Sequence, residues 1–253
     1  MRLSQIIEKV LDEVLPSEGT RPEVISKAMR YAVGTGGKRV RPRICLAAAE
    51  AVGGTAEDAR YPAAAIEILH NYTLVHDDLP AMDNDVERRG KPTVWKEFGE
   101  ANAILAGDAL LALAYRTAAL APRNVPQIVQ ELGEQGLGVV RGQVEDIEQG
   151  DKDIEFVYIH KTADLFIAAA VMGALAAGAS PEDVAKLREF ALNLGLAFQY
   201  EDDLLDGDSP YGMEKTQSLA QEATAKAISS LDGLSGDTTE LRLLAQSLLG
   251  RKK

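Results

Sequence analysis

The chain has 253 residues, of which 46% are hydrophobic and 26% charged, and its formal net charge is −12. This composition fits a globular protein with a sizeable core, and the negative charge disfavours nucleic acids and anionic membranes as general partners. Cys45 is the only cysteine, so no intrachain disulfide can form.

Helical periodicity dominates the chain, and no convincing alternating strand pattern is present. Ser180 and Pro181 form a typical helix start, and glycine-rich breaks at 34–37 and 53–54 separate helices. The predicted fold is all-α, a single helical-bundle domain over residues 1–253. The predicted helices cover residues 3–15, 21–33, 41–52, 57–79, 99–119, 124–148, 154–178, 181–206, 214–231 and 238–249.

Two features argue against a secreted or membrane-spanning protein. The amphipathic N-terminal segment lacks the apolar stretch of a signal peptide. The most apolar run, residues 166–179, is shorter than the roughly 20 residues that a spanning helix needs. We therefore expect a cytoplasmic protein with no stable membrane insertion.

An aspartate cluster ends the helix predicted at 57–79. Asp77 and Asp78 lie at its C-terminal end, and Pro80 disfavours further helix. A turn at Pro80 would bring Asp83 back toward the first two carboxylates. The sequence therefore predicts three acidic side chains close together.

A second aspartate cluster ends the helix predicted at 181–206. Asp202 and Asp206 are one turn apart on one helix face, and Asp203 lies beside them. Carboxylates at a helix C-terminus are disfavoured by the helix dipole and by one another, so two such clusters predict a bound cation. Hard oxygen ligands favour Mg²⁺, which commonly bridges to phosphates.

Cations are concentrated in two short segments of this acidic chain. Four lie within residues 38–43, and Arg88 and Arg89 follow the first aspartate cluster. Guanidinium groups match phosphate oxygens, which predicts a phosphate-containing ligand. Nucleic acid is disfavoured because no aromatic side chains alternate with the cations. Lys161, early in an apolar helix, either meets an anion or extends to the surface.

Seven motifs occur in order between about residues 30 and 207: GGKRVRP, HDDLPAMDND, RRGKPT, AGDALL, GQVED, HKTADL and GLAFQYEDDLLD. Together they resemble the trans-isoprenyl diphosphate synthases, the polyprenyl synthetase family. The spacing within the first aspartate motif is similar to that of bacterial farnesyl and plant-type geranylgeranyl diphosphate synthases.

The resemblance implies an all-α homodimer with a deep apolar cavity and three Mg²⁺ ions that hold the allylic diphosphate. The implied metal ligands are Asp77, Asp78, Asp83, Asp202, Asp203 and Asp206. The implied isopentenyl diphosphate contacts are Lys38, Arg41, His70 and Arg89. The implied allylic diphosphate contacts are Arg88, Lys161, Thr162, Gln199 and Lys215, while Gln143 and Asp146 lie near the reacting carbons. The residues expected to carry the chemistry are Asp77, Asp78, Lys161, Asp202 and Gln199.

The implied reaction ionises an allylic diphosphate, dimethylallyl or geranyl, and joins it to isopentenyl diphosphate. Tyr72 lies five residues before Asp77, where an aromatic side chain would act as a cavity floor and favour farnesyl diphosphate as product. The alternatives are a geranylgeranyl or geranyl diphosphate synthase, a class I terpene cyclase, and a non-catalytic subunit. Lys38 and Arg41 argue against a cyclase, and Tyr72 could equally be an ordinary core tyrosine.

The sequence departs from the family pattern after Asp206. The connection GDSPYGMEKT is shorter than usual, and Lys215 matches only the second of two expected lysines. Glu201 stands where a glutamine is usual, which adds negative charge beside the proposed metal ligands. We expect an active enzyme, because all six aspartates are present.

Overall fold

The computed structural model describes residues 2–148 and 151–249, and its regular structure is almost entirely helical. The predicted all-α fold is confirmed. The predicted domain of residues 1–253 also includes Met1, residues 149–150 and residues 250–253, which lie outside the described residues. The elements are α1 Arg2–Val14, α2 Glu23–Gly34, α3 Val40–Ala51, α4 Arg60–Asp77, β1 Glu87–Arg88, β2 Lys91–Pro92, α5 Val94–Phe98, α6 Glu100–Ala118, α7 Val125–Ile147, α8 Ile154–Val157, a π-helical turn Tyr158–Ala163, α9 Asp164–Ala177, α10 Pro181–Asp206, α11 Met213–Ser230 and α12 Thr239–Gln246.

Small side chains let the central helices approach one another closely. Helices α3, α4 and α9 each contain a run of three fully buried alanines, at 47–49, 63–65 and 168–170. Where α9 crosses α3, a Cβ on Gly173 would lie 2.9 Å from the carbonyl carbon of Cys45, which only glycine avoids. Nearly every residue of α9 is buried, so its surface is apolar on all sides and α9 forms the centre of the bundle.

The helical stretch Ile154–Ala177 is long and apolar enough to cross a membrane by length and composition. It is longer than the apolar run at 166–179, because α8, the π-helical turn and α9 are continuous. Within the protein, 72% of its most apolar window is buried. This burial is typical of the core helix of a globular bundle.

Three local features differ from the sequence prediction. The helix predicted at 154–178 contains the π-helical turn Tyr158–Ala163. A hairpin of two-residue strands pairs Glu87 with Pro92 and Arg88 with Lys91, where no strand was predicted. The short helix α5 follows it. By contrast, the predicted helix start at Ser180 is confirmed, because its hydroxyl accepts a hydrogen bond from the Asp183 N–H at 3.1 Å.

Candidate active site

The first aspartate cluster is built by the end of α4 and a tight turn. The Leu79 carbonyl accepts hydrogen bonds from the Met82 and Asn84 N–H groups, at 2.9 Å and 3.1 Å. The Asp83 N–H donates to the Asp77 carbonyl at 2.9 Å. The chain therefore turns at Pro80 as predicted and brings Asp83 back beside Asp77.

The ionised forms of Asp77 and Asp78 are disfavoured, mainly because these carboxylates are removed from water. Burial raises the pKa of Asp77 to about 6, although Lys161 acts in the opposite direction, and the charges of Asp83 and Asp78 add to the rise. Burial also raises the pKa of Asp78, despite its ion pair with Arg88. A bound cation would relieve this repulsion.

The hairpin positions Arg88 against the first cluster. The Arg88 Nε donates to Asp78 Oδ1 at 2.8 Å, and the Asp78 side chain is only 4% exposed. A second, longer contact joins Arg88 to Asp85 at 3.4 Å. Arg88 is thus held at the mouth of the site by acids on both sides.

A cavity of about 650 Å³ opens beside the first cluster. It contains all four residues that were predicted to bind isopentenyl diphosphate, while aromatic side chains from α9 and α10 form part of its wall. Positive and apolar surfaces therefore meet in one cavity, which suits a ligand with an anionic head and a hydrocarbon tail. The residues named here are Lys38, Arg41, His70, Arg89, Phe166 and Phe198.

Arg41 is a partly buried cation of this cavity whose side chain is not fully paired. Its Nη1 lies 3.3 Å from His70 Nε2, its guanidinium carbon lies 5.0 Å from the Phe166 ring centroid, and its Nε has no hydrogen-bond partner. Burial lowers the pKa of Arg41 to about 10, which Glu67 opposes and Arg89 reinforces. Burial also keeps the pKa of His70 well below its usual value, with Arg41 and Arg89 adding to the effect. An anionic ligand would supply the missing partner.

The other two cations of the 38–43 segment have structural partners. Arg39 bonds Glu67 at 2.7 Å and Glu8 at 2.9 Å, and Arg43 pairs with Glu240. Arg39 adopts a left-handed conformation, with φ of 49°, at the start of α3. Arg39 thus lines the cavity with its guanidinium already paired, whereas Arg43 is not part of the cavity lining.

The π-helical turn presents two consecutive side chains to different neighbours. Lys161 Nζ bonds the Asp146 carboxylate on α7 and lies near enough to Asp77 to lower its pKa. Thr162 Oγ1 donates to Gln199 Oε1 on α10 at 2.9 Å. The turn therefore contacts α7 and α10, and it places Lys161 near Asp77 at the end of α4.

Gln143 lies on α7, three residues before Asp146. Its side chain is buried, and its Nε2 has no hydrogen-bond partner. An unpaired buried amide is costly, so a ligand or water would be expected to satisfy it. Gln143 and Asp146 share one face of α7, and the role of that face near the reacting carbons stays a prediction.

The second aspartate cluster is stabilised by a residue that the sequence did not indicate. Tyr158, on the π-helical turn, donates its hydroxyl to Asp203 Oδ2, and Gln199 also hydrogen-bonds the Asp203 side chain. Asp202 and Asp206 occupy the last two turns of α10, the first partly buried and the second exposed. No sequence signal singled out Tyr158, because its role depends on the π register.

Lys215 lies on the first turn of α11, on the far side of the shortened connection. Its Nζ is 5.3 Å from the centroid of the Tyr211 ring, which in turn packs edge-on against Tyr158. The structure therefore brings Lys215 to the tyrosines beside the second cluster.

Tyr72 lies half-buried on α4, with its ring 5.0 Å from that of His76 in an edge-to-face contact. Burial raises the pKa of Tyr72, and the nearby Asp77, Asp108 and Tyr115 add to the rise. Tyr72 is therefore close to the first cluster and also faces α6.

The donors of the two clusters fit Mg²⁺. They are carboxylate oxygens, the ligands that hard divalent cations prefer. Among residues 2–148 and 151–249, no three His, Cys, Asp or Glu side chains are arranged to hold one ion by themselves. Mg²⁺ commonly binds through one or two carboxylates and completes its shell with water and phosphate oxygens, so the clusters fit an ion shared with a diphosphate.

Comparison with known proteins gives a consistent result. The family model described as Polyprenyl synthetase matches residues 22–229. A chloroplastic geranylgeranyl pyrophosphate synthase from Capsicum annuum is 46% identical over 213 residues, which cover 79% of this chain and 57% of that protein. A geranylgeranyl diphosphate synthase from Cyanophora paradoxa is 45% identical over 215 residues, covering 80% and 71% of the two chains. The chain thus spans only slightly more than half the length of the first of these curated relatives.

Two solved structures have the same fold. An FPP/GFPP synthase from Zymomonas mobilis superposes with a TM-score of 0.90 at 33% identity, covering 98% of this chain and 97% of that one. A geranylgeranyl pyrophosphate synthetase from Pyrococcus horikoshii gives a TM-score of 0.90 at 30% identity, covering 98% and 96%.

Proposed function

Because the chain belongs to the polyprenyl synthetase family, we propose that it is a short-chain trans-prenyltransferase that joins isopentenyl diphosphate to an allylic diphosphate. One observation carries this proposal. The π-helical turn Tyr158–Ala163 bonds Gln199 on α10 through Thr162 and places Lys161 near enough to Asp77 to lower its pKa, and the cation-lined cavity opens beside the first cluster. This arrangement supports two neighbouring diphosphate sites.

The proposed roles follow from chemical type. Lys38, Arg41 and Arg89, with His70 behind Arg41, hold the diphosphate of isopentenyl diphosphate in the cavity. The allylic diphosphate would be held by Arg88, which lines the same cavity, and by Lys161, Thr162, Gln199 and Lys215.

The six aspartates are the proposed Mg²⁺ ligands, for three ions as the resemblance implies: Asp77, Asp78, Asp83, Asp202, Asp203 and Asp206. When bound, the ions would neutralise the diphosphate that leaves the allylic carbon. Lys161 would add positive charge on the same side, because it already lies near Asp77.

The apolar side of the site protects the reaction. Departure of the diphosphate leaves an allylic cation, which water would capture, and Phe166 and Phe198 help to exclude water from the cavity. The double bond of isopentenyl diphosphate then attacks the cation, and a proton leaves to the released diphosphate. Gln143 and Asp146 line the adjacent face of α7.

The proposed product is geranylgeranyl diphosphate. The first expectation from the sequence, farnesyl diphosphate, is less well supported, because the relatives at 44–48% identity are named geranylgeranyl synthases. A longer product requires the growing prenyl chain to pass Tyr72, whose ring packs edge-to-face against His76 and faces α6.

The quaternary state and location are also proposals. We propose a homodimer formed by α6 and α7, because both helices expose apolar side chains on one face. The cytoplasmic location remains a prediction from the sequence. A non-catalytic subunit is disfavoured, because both aspartate clusters and the cation cavity are present together.

A product assay tests the proposal. Purified protein is incubated with Mg²⁺, radiolabelled isopentenyl diphosphate and, separately, dimethylallyl, geranyl or farnesyl diphosphate. The expected product from each primer is geranylgeranyl diphosphate. Asp78→Asn should abolish chain growth, whereas Asp232→Asn, an exposed acid after α11, should leave it unchanged. Absence of product from every primer would contradict the catalytic assignment.

A further inference from the structure

Three tyrosines from different elements pack together beside the second aspartate cluster. Tyr158 belongs to the π-helical turn, Tyr200 to α10 and Tyr211 to the connection at 207–212. The ring centroids are 5.8 Å apart for Tyr158 and Tyr200, 6.4 Å for Tyr158 and Tyr211, and 6.2 Å for Tyr200 and Tyr211. All three contacts are edge-to-face, the favourable geometry for aromatic pairs. We call these residues the tyrosine cluster.

The tyrosine cluster holds the shortened connection against the core. The Tyr211 N–H donates to Ser209 Oγ at 3.2 Å, which fixes the backbone just before α11. The Tyr211 ring then covers the edges of Tyr158 and Tyr200. The connection is therefore anchored by aromatic packing, and Tyr158 is held with only 7% of its surface exposed.

One hydroxyl of the tyrosine cluster reaches a proposed metal ligand. Tyr158 donates to Asp203 Oδ2, and Gln199 provides a second side-chain hydrogen bond to the same carboxylate. Both donors are uncharged. They restrict the orientation of the carboxylate and leave its negative charge uncancelled, whereas an ammonium group in the same place would compete with a divalent cation.

The nearest cation on α11 is held elsewhere. Lys215 Nζ lies over the Tyr211 ring rather than on Asp203. Two members of the tyrosine cluster therefore have different contacts. The Tyr211 ring lies under the Lys215 ammonium group, and the Tyr158 hydroxyl orients the Asp203 carboxylate.

We propose that Tyr158 is a positioning residue, which orients Asp203 for binding of divalent cation and diphosphate and which is itself held in place by the ring of Tyr211. The inference rests on the proposed function, because it concerns the same acidic cluster. It adds a residue that neither the aspartate motifs nor the basic motifs contain.

Tyr158→Phe tests the inference, because the change removes the hydroxyl and keeps the ring. Binding of Mn²⁺, a paramagnetic substitute for Mg²⁺, is measured by electron paramagnetic resonance in the presence of inorganic pyrophosphate. Loss of a group that orients a metal ligand commonly weakens metal affinity by about 10–100-fold, and we expect a loss in this range. Tyr200→Phe removes a hydroxyl from the same cluster and should leave Mn²⁺ affinity unchanged.

Three further measurements separate positioning from folding. The far-ultraviolet circular dichroism of Tyr158→Phe should match that of the parent protein, and high Mg²⁺ concentration should restore much of kcat. In an Asp203→Asn background, the change Tyr158→Phe should have little additional effect on Mn²⁺ affinity, because the hydroxyl acts through that carboxylate.

The outcomes distinguish this inference from the proposed function. If the parent protein binds Mn²⁺ with pyrophosphate and forms product, but Tyr158→Phe binds equally well, the positioning role is wrong. An equal effect of Tyr158→Phe in the Asp203→Asn background would also overturn it. If the parent protein neither binds Mn²⁺ with pyrophosphate nor extends any primer, the proposed function fails first, and the inference fails with it.

Discussion

At the residue scale, the charge of Asp77 is in conflict with its buried position. Its folded-state pKa, raised to about 6 from the model-peptide value of 3.8, means that folding disfavours the ionised form. Above pH 6 the ionised carboxylate therefore destabilises the metal-free protein, and the penalty disappears as the pH falls through 6 toward 3.8. The metal-free site therefore carries a destabilising negative charge on Asp77, and a bound metal ion would stabilise this ionised carboxylate.

We predict that Asp77→Asn stabilises the metal-free protein and inactivates the enzyme. The pKa shift corresponds at most to about 3 kcal/mol, which partial solvent exposure reduces to about 1 kcal/mol, or about 2–4 °C in Tm. Prenyl transfer should fall by roughly 10²-fold or more. Calorimetry at pH 7.5 and at pH 5 checks the sign, because the gain in Tm should shrink at the lower pH. A lower Tm for the variant at pH 7.5 would contradict the analysis.

Tyr72 provides a second prediction at this scale. Its ring lies beside Asp77 and His76, where a growing prenyl chain would pass from the first cluster into the bundle. Tyr72→Ala removes the ring, so we expect the product distribution to shift to longer chains in the radiolabelled isopentenyl diphosphate assay. The conservative Tyr72→Phe keeps the ring and should retain the parent distribution. An unchanged profile for Tyr72→Ala would reject the role of Tyr72 in chain length.

At the element scale, the position of the π-helical turn depends on how closely α7 approaches it. A Cβ on Gly142 would lie 2.8 Å from the His160 carbonyl carbon and would also overlap the Lys161 backbone nitrogen. Backbone atoms cannot move aside cheaply, so the turn itself would have to shift. That turn carries both Lys161 and Thr162 into the site.

We predict that Gly142→Ala lowers both stability and activity. Overpacking of this kind typically costs about 1–3 kcal/mol, and displacement of Lys161 should reduce kcat by more than the loss of folded protein explains. Gly136→Ala on the same helix is the matched control. Its Cβ would lie 3.5 Å from Leu69 Cδ2, an ordinary contact, and the alanine should be neutral or stabilise the helix by up to about 1 kcal/mol. Thermal unfolding and steady-state kinetics measure Tm and kcat for both variants. Equal Tm and kcat values for Gly142→Ala and Gly136→Ala would show that the close approach at Gly142 does not position the turn.

The sequence predicted the long elements well because their periodicity is strong. Helix α10 has the predicted bounds, and the turn at Pro80 returns Asp83 as expected. The hairpin escaped prediction because two-residue strands are too short to show an alternating pattern. The π-helical turn escaped because its register has no compositional signature, and with it the contact of Tyr158 to Asp203 was missed.

In the basic segment 38–43, the sequence also failed to predict which side chains pair with acids. The residue type alone cannot distinguish Arg39, which lines the cavity but pairs with Glu67, from Arg41, which lines the same cavity with its Nε unpaired. That division depends on the left-handed backbone at Arg39 and on which acids neighbouring helices supply. Only long-range packing determines it.

At the scale of the whole molecule, α6 and α7 both expose large apolar side chains. The two helices follow each other along the chain and approach where the Tyr115 hydroxyl lies near Gly133. Ile104 and Leu105 are exposed near the start of α6. Leu137, Val140, Val144 and Ile147 recur at intervals of three and four residues and so form an apolar face on α7.

Such a face suggests a partner, and a second copy of the chain fits best. Patches of this kind are rare on monomers, and an isologous dimer covers the same patch on both subunits. The net charge of −12 would make two copies repel each other at long range, so the contact must rely on apolar burial. The proposed homodimer agrees with this requirement.

We predict that the protein has a solution mass of twice 27.2 kDa and that Val140→Lys shifts it toward 27.2 kDa. Burying an unpaired ammonium at an apolar contact costs several kcal/mol, so dissociation should increase by roughly 10²-fold or more. Leu243→Lys on α12 is the control, because Leu243 is 54% exposed and lies on neither α6 nor α7. Light scattering coupled to size-exclusion chromatography at several protein concentrations measures each mass. A parent protein that remains at 27.2 kDa at all concentrations would show that the α6–α7 face does not pair with a second copy.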